Sequence, residues 1–370
     1  MAEVVFTTWD GGGNVPPAFA IGRELLARGH AVRFLGHRSQ APAIEDAGFE
    51  VVAAPRSREL SPATAPSTVE MLATFADRGA ALDLLAELDH RPADVVVVDA
   101  LTLGALDAAR RSGVPYCVLE HFHDTYYRGA LRGPLGLLLR ATGLRPVRAL
   151  DAAAARIVTS LPALDPVEPS PNLHQVGPVV TWRPRAEGAA PSVLVALSTF
   201  GFARMTGVLQ RVLDATDGLG VQVVVTTGPH IDPTDLRVPP GTVVHRWADH
   251  ADLMARATVL VGHGGHGTTL QALAHDLPVL VLPMDAKTDQ PLVGHALEDA
   301  GAGRVLPRSA PPARIREAVA ALLADGPHRG AAARLGAQVR ATRAAADAAD
   351  VIEQVAAPAP VESSRDQDSM

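Results

Sequence analysis

The stretch VLVGHGGHGTTLQ, residues Val259 to Gln271, decides the fold. Its apolar run, Val259, Leu260 and Val261, stops at a glycine-rich turn, Gly262 to Gly267, which leads into a helical pattern at Thr268 to Ala274. Strand, glycine turn and helix start in that order build an α/β unit, and they also build an anion site. Glycines such as Gly265 and Gly267 let the backbone approach a ligand closely, and a helix N-terminus offers unpaired N–H groups with partial positive charge. His263, Thr268 and Thr269 add side-chain donors. The same pattern also makes an ordinary strand-to-helix turn, so a diphosphate cradle and a plain turn both stay open on this stretch alone.

The rhythm of short apolar runs and helical segments continues on both sides. Before the turn, strands are expected at Ser192 to Ser198, Val221 to Thr226 and Val243–Val244, with helices at Ala203 to Ala215 and Leu253 to Arg256. After it come a strand at Val279 to Leu282, a helix ending near Ala300, a strand at Arg304 to Leu306, a helix at Ala313 to Ala324 and an alanine-rich helix at Gly330 to Ala356. The first half repeats the pattern. Val4 to Thr7, Ala31 to Leu35 and Phe49 to Ala53 read as strands alternating with helices at Ala18 to Arg28 and Ala41 to Ala47, the opening of a doubly wound parallel sheet. A helix capped by Ser67 is expected from Thr68 to Leu88, and Asp94 to Asp99 carries four valines ending at an acid. A carboxylate at the C-terminal end of a parallel strand faces the ligand crevice of such sheets, and it also suits a helix N-cap. Val114 to Leu119 is the next strand, Glu120 to Gly129 a polar and aromatic loop, Leu135 to Thr142 and Pro146 to Ala155 helices, and Ile157 to Ser160 a last strand.

The expected division is a domain over residues 1–165, a proline-rich linker over 166–191, a second domain over 192–356 and a disordered tail over 357–370. The fold class is α/β, with two doubly wound, Rossmann-like parallel sheets facing a cleft. Gly11-Gly12-Gly13 lacks the GxGxxG spacing and is followed by Pro16-Pro17, which argues against a dinucleotide site.

Composition narrows the partners. The chain has 370 residues, 47% hydrophobic and 20% charged, with a formal net charge of −7, which argues against nucleic acid. Its one cysteine, Cys117, forbids an internal disulfide. The N-terminus MAEVVFTTWDGGG does not read as a signal peptide and no apolar run reaches membrane-spanning length, so a cytoplasmic protein without stable membrane insertion is expected. His121 and His123 lie close together but lack a third and fourth ligand, and Asp366-Gln367-Asp368 sits in a polar tail, so no metal is expected.

Several motifs then agree in register. Trp247 lies sixteen residues before His263, and His263-Gly264-Gly265-His266-Gly267-Thr268-Thr269 matches an HxGxGT-type motif. Pro278 and Pro283 frame the next strand, followed by Asp289-Gln290 and Gly301-Ala302-Gly303. Ala196 to Gly201 and Gln175-Val176-Gly177-Pro178 fit a second-domain opening and a linker. Together they resemble the nucleotide-diphosphate-sugar glycosyltransferases of the GT-B fold, in the bacterial antibiotic and macrolide branch related to the plant enzymes.

The resemblance implies roles. His263 with Thr268 and Thr269 would hold the diphosphate, and Thr199 would approach it from the opposite loop. The segment at Trp247 would contact the base, Gln271 would stand at the ribose where many relatives carry Glu, and Asp289 and Gln290 would bind sugar hydroxyls. The donor would be a UDP- or TDP-sugar, a substrate rather than a cofactor, with no metal needed. The acceptor would be an apolar natural product, joined through oxygen or carbon. Whether the chain forms a homodimer stays open. Relatives carry a histidine base in the first domain; sixteen residues before His30 this chain has Asn14, an amide with no basic lone pair. The orienting acid matches Asp99. His123, Asp124 and His121 are candidate replacements for the base, and Asp10 is near in sequence. An acceptor needing little activation is a second explanation. An auxiliary nucleotide-sugar-binding protein is a third, and a GT-B sugar-nucleotide epimerase is the alternative enzyme.

Overall fold

The computed structural model describes residues 1–60 and 67–357. The expected tail, apart from Ala357, and its Asp366-Gln367-Asp368 lie outside them.

The first domain alternates strands and helices in chain order: β1 (Glu3–Thr7), α1 (Val15–Ala27), β2 (Ala31–Gly36), α2 (Ala41–Asp46), β3 (Glu50–Ala53), α3 (Thr68–Phe75), α4 (Arg78–His90), β4 (Val95–Asp99), α5 (Leu103–Ser112), β5 (Tyr116–Glu120), α6 (Asp124–Arg132), α7 (Pro134–Ala141), α8 (Pro146–Asp151), β6 (Ala155–Val158) and β7 (Leu173–Gln175). The second continues with β8 (Ser192–Ala196), α9 (Met205–Thr216), β9 (Gln222–Thr226), β10 (Thr242–His245), α10 (His250–Met254), β11 (Val259–Gly262), α11 (His266–Ala274), β12 (Val279–Val281), α12 (Gln290–Asp299), β13 (Gly303–Val305), α13 (Pro312–Leu323), α14 (Pro327–Ala341) and α15 (Ala344–Ala356). Among the described residues the strands form two sheets, ordered β3-β2-β1-β4-β5-β6-β7 and β10-β9-β8-β11-β12-β13. Every pairing is parallel. Both orders reverse direction beside the first strand of the domain, which is where doubly wound sheets open a crevice.

The valine runs follow from that topology, because helices cover both faces of a parallel sheet and most strand residues are therefore apolar. In β1 and β4, Val4, Phe6, Val95 and Val97 enter one core and Val5, Val96 and Val98 the other. The second sheet divides in the same way, with Val193, Val195, Val259 and Val261 on one face and Leu194, Leu260, Val279 and Val281 on the other.

Four local expectations are corrected. The helix expected from Thr68 to Leu88 breaks at Asp77, whose carboxylate accepts from the N–H groups of Gly79 and Ala80 and starts α4 afresh. Of the ten residues in the expected loop from Glu120 to Gly129, the six from Asp124 onward belong to α6. The 166–191 linker contains β7, which hydrogen-bonds to β6 and extends the first sheet. The terminal alanine-rich helix is two helices, and α15 leaves the second domain to pack on the first sheet. Ala344, Ala348, Val351 and Ile352, a helical stripe, join the core of Val4 and Phe6. Arg28 pins that helix through Asp350 at 2.6 Å and Glu353 at 2.7 Å. No helix among the described residues is long and apolar enough to cross a membrane.

Candidate active site

The C-terminal ends of the two sheets face each other. On the second domain β11 ends at Gly262, the chain turns through His263 to Gly265, and α11 begins at His266. Gly264 has φ +85°, and a Cβ there would lie 2.9 Å from the Gln290 carbonyl oxygen, so only glycine fits. At Gly265 a Cβ would come within 2.4 Å of the His263 imidazole. The first turn of α11 thus opens into the cleft with no side-chain cap on its free N–H groups. Opposite stands the turn Gly11 to Gly13. Gly12, at φ +74°, leaves space for the Thr199 hydroxyl, which would lie 2.6 Å from a Cβ.

Three further contacts cross the cleft. His266 Nε2 lies 3.2 Å from the Thr159 carbonyl oxygen, which can only accept, so this nitrogen carries the proton. The His266 ring meets His123 edge-on at 5.5 Å. The Tyr126 hydroxyl donates to the Lys287 carbonyl. His266, Thr159 and Tyr126 were not among the expected site residues. Their role depends on which loops of two separate sheets meet, and the linear pattern does not record that.

On the first domain, the expected partnership of positions 14 and 99 is present. Asn14 Nδ2 donates to Asp99 Oδ2 at 2.8 Å and to the Trp9 carbonyl at 2.8 Å, while its Oδ1 accepts from Gly11 N–H at 3.1 Å. The side chain is 2% exposed and its amide is fully occupied. Asp99 is 4% exposed and also accepts from Leu101 N–H at 2.9 Å and from His121 Nε2 at 3.3 Å.

The other two candidate bases stand elsewhere. Asp124 pairs with the buried Arg156, which also holds Glu120, so its carboxylate is committed to a structural ion pair. His123 is 2% exposed, with Nδ1 3.9 Å from Asp165 and no hydrogen-bond partner. Burial lowers its pKa from 6.5, opposed by Asp165 and Asp289. It packs at the domain junction, away from Asp99.

The donor-side residues divide likewise. Asp289 Oδ2 is buried without a partner, and burial raises its pKa from the usual carboxylate range. Gln290 Oε1 accepts from the N–H groups of Met284 and Asp285 at 2.7 and 3.2 Å, so half of its amide braces the loop. Gln271 Nε2 donates to the Thr181 carbonyl at 3.0 Å, and Trp247 is 67% exposed. Thr269 is buried in the first turn of α11, with Thr268 beside it half-buried.

Residues 210–357 match the family model described as erythromycin biosynthesis protein CIII-like, C-terminal domain. The L-demethylnoviosyl transferase of Streptomyces niveus is 29% identical over 364 residues, covering 90% of this chain and 93% of that protein. The zeaxanthin glucosyltransferase of Pseudescherichia vulneris is 30% identical over 280 residues, covering 66% of this chain and 67% of that protein. The chain belongs to the glycosyltransferases, and its paired sheets have the GT-B fold. Among solved structures, the glycosyltransferase VinC in complex with DTDP superposes with a TM-score of 0.72 at 21% identity, over 95% of this chain and 99% of that one. The protein is therefore a sugar transferase, as its motifs implied, with the fold that the paired sheets display.

In this glycosyltransferase, burial lowers the pKa of His263 to about 4 and that of His266 to about 3. Both imidazoles are neutral in the folded protein at neutral pH. The unfolded chain takes up these two protons near pH 6.5, the ordinary value, so stability is full above that pH and is lost progressively as pH falls toward 4. Each imidazole contributes a slope of up to about 1.4 kcal/mol per pH unit in that window. Thermal melts from pH 7.5 to 5 should show Tm falling with acid. His266→Gln, which keeps a donor for Thr159, should flatten the slope, and an unchanged slope overturns the assignment.

Proposed function

We propose that the chain catalyses inverting, metal-independent transfer of a hexosyl or deoxyhexosyl group from a UDP- or TDP-sugar to an apolar small-molecule acceptor. The observation that carries this is the open N-terminus of α11 standing across the cleft from the Asn14–Asp99 pair. A diphosphate leaving group developing negative charge is stabilised by free N–H groups, by the helix dipole and by an imidazole N–H of His263, which together can serve in place of a cation. Thr199 reaches toward the same space from the end of β8. Asp289, with an unpartnered carboxylate oxygen at the head of α12, is suited to sugar hydroxyls. Trp247 offers an exposed face for a base. The acceptor would enter from the first domain beside Asp99. Nothing observed favours the epimerase or the auxiliary protein.

Calorimetric titration with TDP and UDP tests the donor half. Binding is expected, and His263→Ala should weaken it by at least about tenfold, equivalent to about 1.4 kcal/mol. A protein that binds neither nucleotide, and consumes no UDP- or TDP-hexose with phenolic or macrolide acceptors, would falsify the proposal.

A further inference from the structure

The sheet register explains where a replacement base can come from. β4 is the central neighbour of both β1 and β5. Asp99, its last residue, pairs in register with Leu119 of β5. Side chains alternate along a strand, so the residue two beyond Leu119 shares its face and lies beside Asp99. That residue is His121. Asn14 approaches the same carboxylate from the opposite flank, on the turn that follows β1. One acid at the middle of the sheet can therefore orient a histidine from either neighbouring strand.

The geometry points to His121, held by Asp99, as the general base that deprotonates the acceptor hydroxyl in this glycosyltransferase; the inference rests on the transfer reaction proposed above. His121 Nε2 lies 3.2 Å from Asp99 Oδ2 and 3.3 Å from Oδ1. A carboxylate only accepts, so Nε2 carries the proton and Nδ1 keeps the basic lone pair. Among the described residues Nδ1 has no hydrogen-bond partner, and the side chain is 10% exposed, at the cleft. The ring stands edge-on to Phe122 at 4.8 Å, which fixes its plane. Two residues on, the His123 ring meets the His266 ring at the start of α11 at 5.5 Å, so this loop stands on the side of the first domain that faces the donor cradle. In the reaction the acceptor O–H proton passes to His121 Nδ1. The acceptor oxygen forms the new bond to the anomeric carbon as the bond from that carbon to the diphosphate oxygen breaks. The diphosphate leaves with the electron pair, and the imidazolium, stabilised by Asp99, later returns its proton to water. Asn14 is then a brace that holds Asp99 on the side where relatives place their histidine.

Three measurements on the full chain separate this inference from the reaction it rests on. TDP and UDP titrations of the wild type address the donor site alone, and absence of binding there overturns both proposals. With TDP-glucose or UDP-glucose as donor and a macrolide aglycone bearing an aliphatic hydroxyl as acceptor, His121→Asn should lose about 10²-fold or more in kcat, with TDP affinity unchanged. Adding Asn14→His to that variant should recover about tenfold or more, since Asp99 is already within reach of position 14. Wild-type turnover by His121→Asn overturns the inference and leaves the transfer reaction standing. Nitrogen-15 spectra of histidine-labelled protein, with the signal assigned by comparison with His121→Asn, decide the matter without any acceptor. A neutral His121 protonated at Nε2 is expected, and a neutral His121 protonated at Nδ1 overturns it.

Discussion

Asp99→Asn is expected to lower kcat by about 10²–10⁴-fold while leaving the affinity for TDP unchanged. The carboxylate receives three donors: Asn14 Nδ2 at 2.8 Å, Leu101 N–H at 2.9 Å and His121 Nε2 at 3.3 Å. An amide has one acceptor oxygen, so its NH₂ must turn toward at least one of these donors. Turned toward His121, it forces the ring to present a lone pair at Nε2 and moves the proton to Nδ1, the nitrogen needed as base. The negative charge that stabilises an imidazolium is lost at the same time. Asp99 acts through its neighbour rather than on the sugar, so it is a positioning residue, and the distinguishing readout is the His121 tautomer together with the split between kcat and TDP affinity. If kcat and TDP affinity fall together, Asp99 supports the fold rather than the proton transfer.

A second large effect is expected on stability. Arg156→Ala should destabilise the protein by about 3–5 kcal/mol, because it strips the counter-charge from the buried Asp124 carboxylate and removes the donor held by Glu120. For a domain of this size that is a fall of roughly 10 °C in Tm. Arg156 is 1% exposed and Glu120 is 0% exposed. The guanidinium donates from Nε to Glu120 Oε1 at 2.8 Å and from Nη2 to Asp124. Burial pushes the pKa of Glu120 up to about 8, with Arg156 working against that rise and Asp124 with it. Its second oxygen, Oε2, has no partner, which suits a carboxyl carried largely protonated at neutral pH. Glu120→Gln should therefore cost only about 1 kcal/mol, and adding it to Arg156→Ala should restore little, because the carboxyl it replaces is already largely neutral. Thermal and urea unfolding of the three variants checks this. A wild-type Tm for Arg156→Ala contradicts it, as does a Glu120→Gln variant that falls as far as Arg156→Ala. The ion cluster brackets His121 in sequence, so its loss should also reduce turnover.

Much of the architecture is legible in the chain because parallel strands covered on both faces need unbroken apolar runs, and Val95 to Val98 could hardly be anything else. The spacing from Trp247 through His263 to Asp289 carries the family for a related reason: each motif lies between the end of a strand and the helix that follows it. Helix boundaries were less legible. The break at Asp77 depends on a carboxylate turning back to cap two N–H groups, and Asp77 in a helical run of Ala, Leu and Arg does not advertise it.

The proposed base was the least legible part. His121, His123 and Asp124 lie within four residues, and all three have suitable chemistry. Their separation comes from what surrounds each one: Arg156 from β6 takes Asp124, His266 from the other domain packs on His123, and Asp99 from β4 reaches His121. Asp124 was a reasonable expectation that a buried cation removed.

By itself, the sequence determined the two parallel sheets and the glycine turn from Val259 to Gln271, because apolar runs, glycine requirements and motif spacing are all local or strictly periodic. Only the tertiary structure decided that β7 extends the first sheet, that α15 returns to it, and that Asp99 faces His121. Those outcomes depend on register between strands and on contacts across the cleft, where residues far apart in the chain meet.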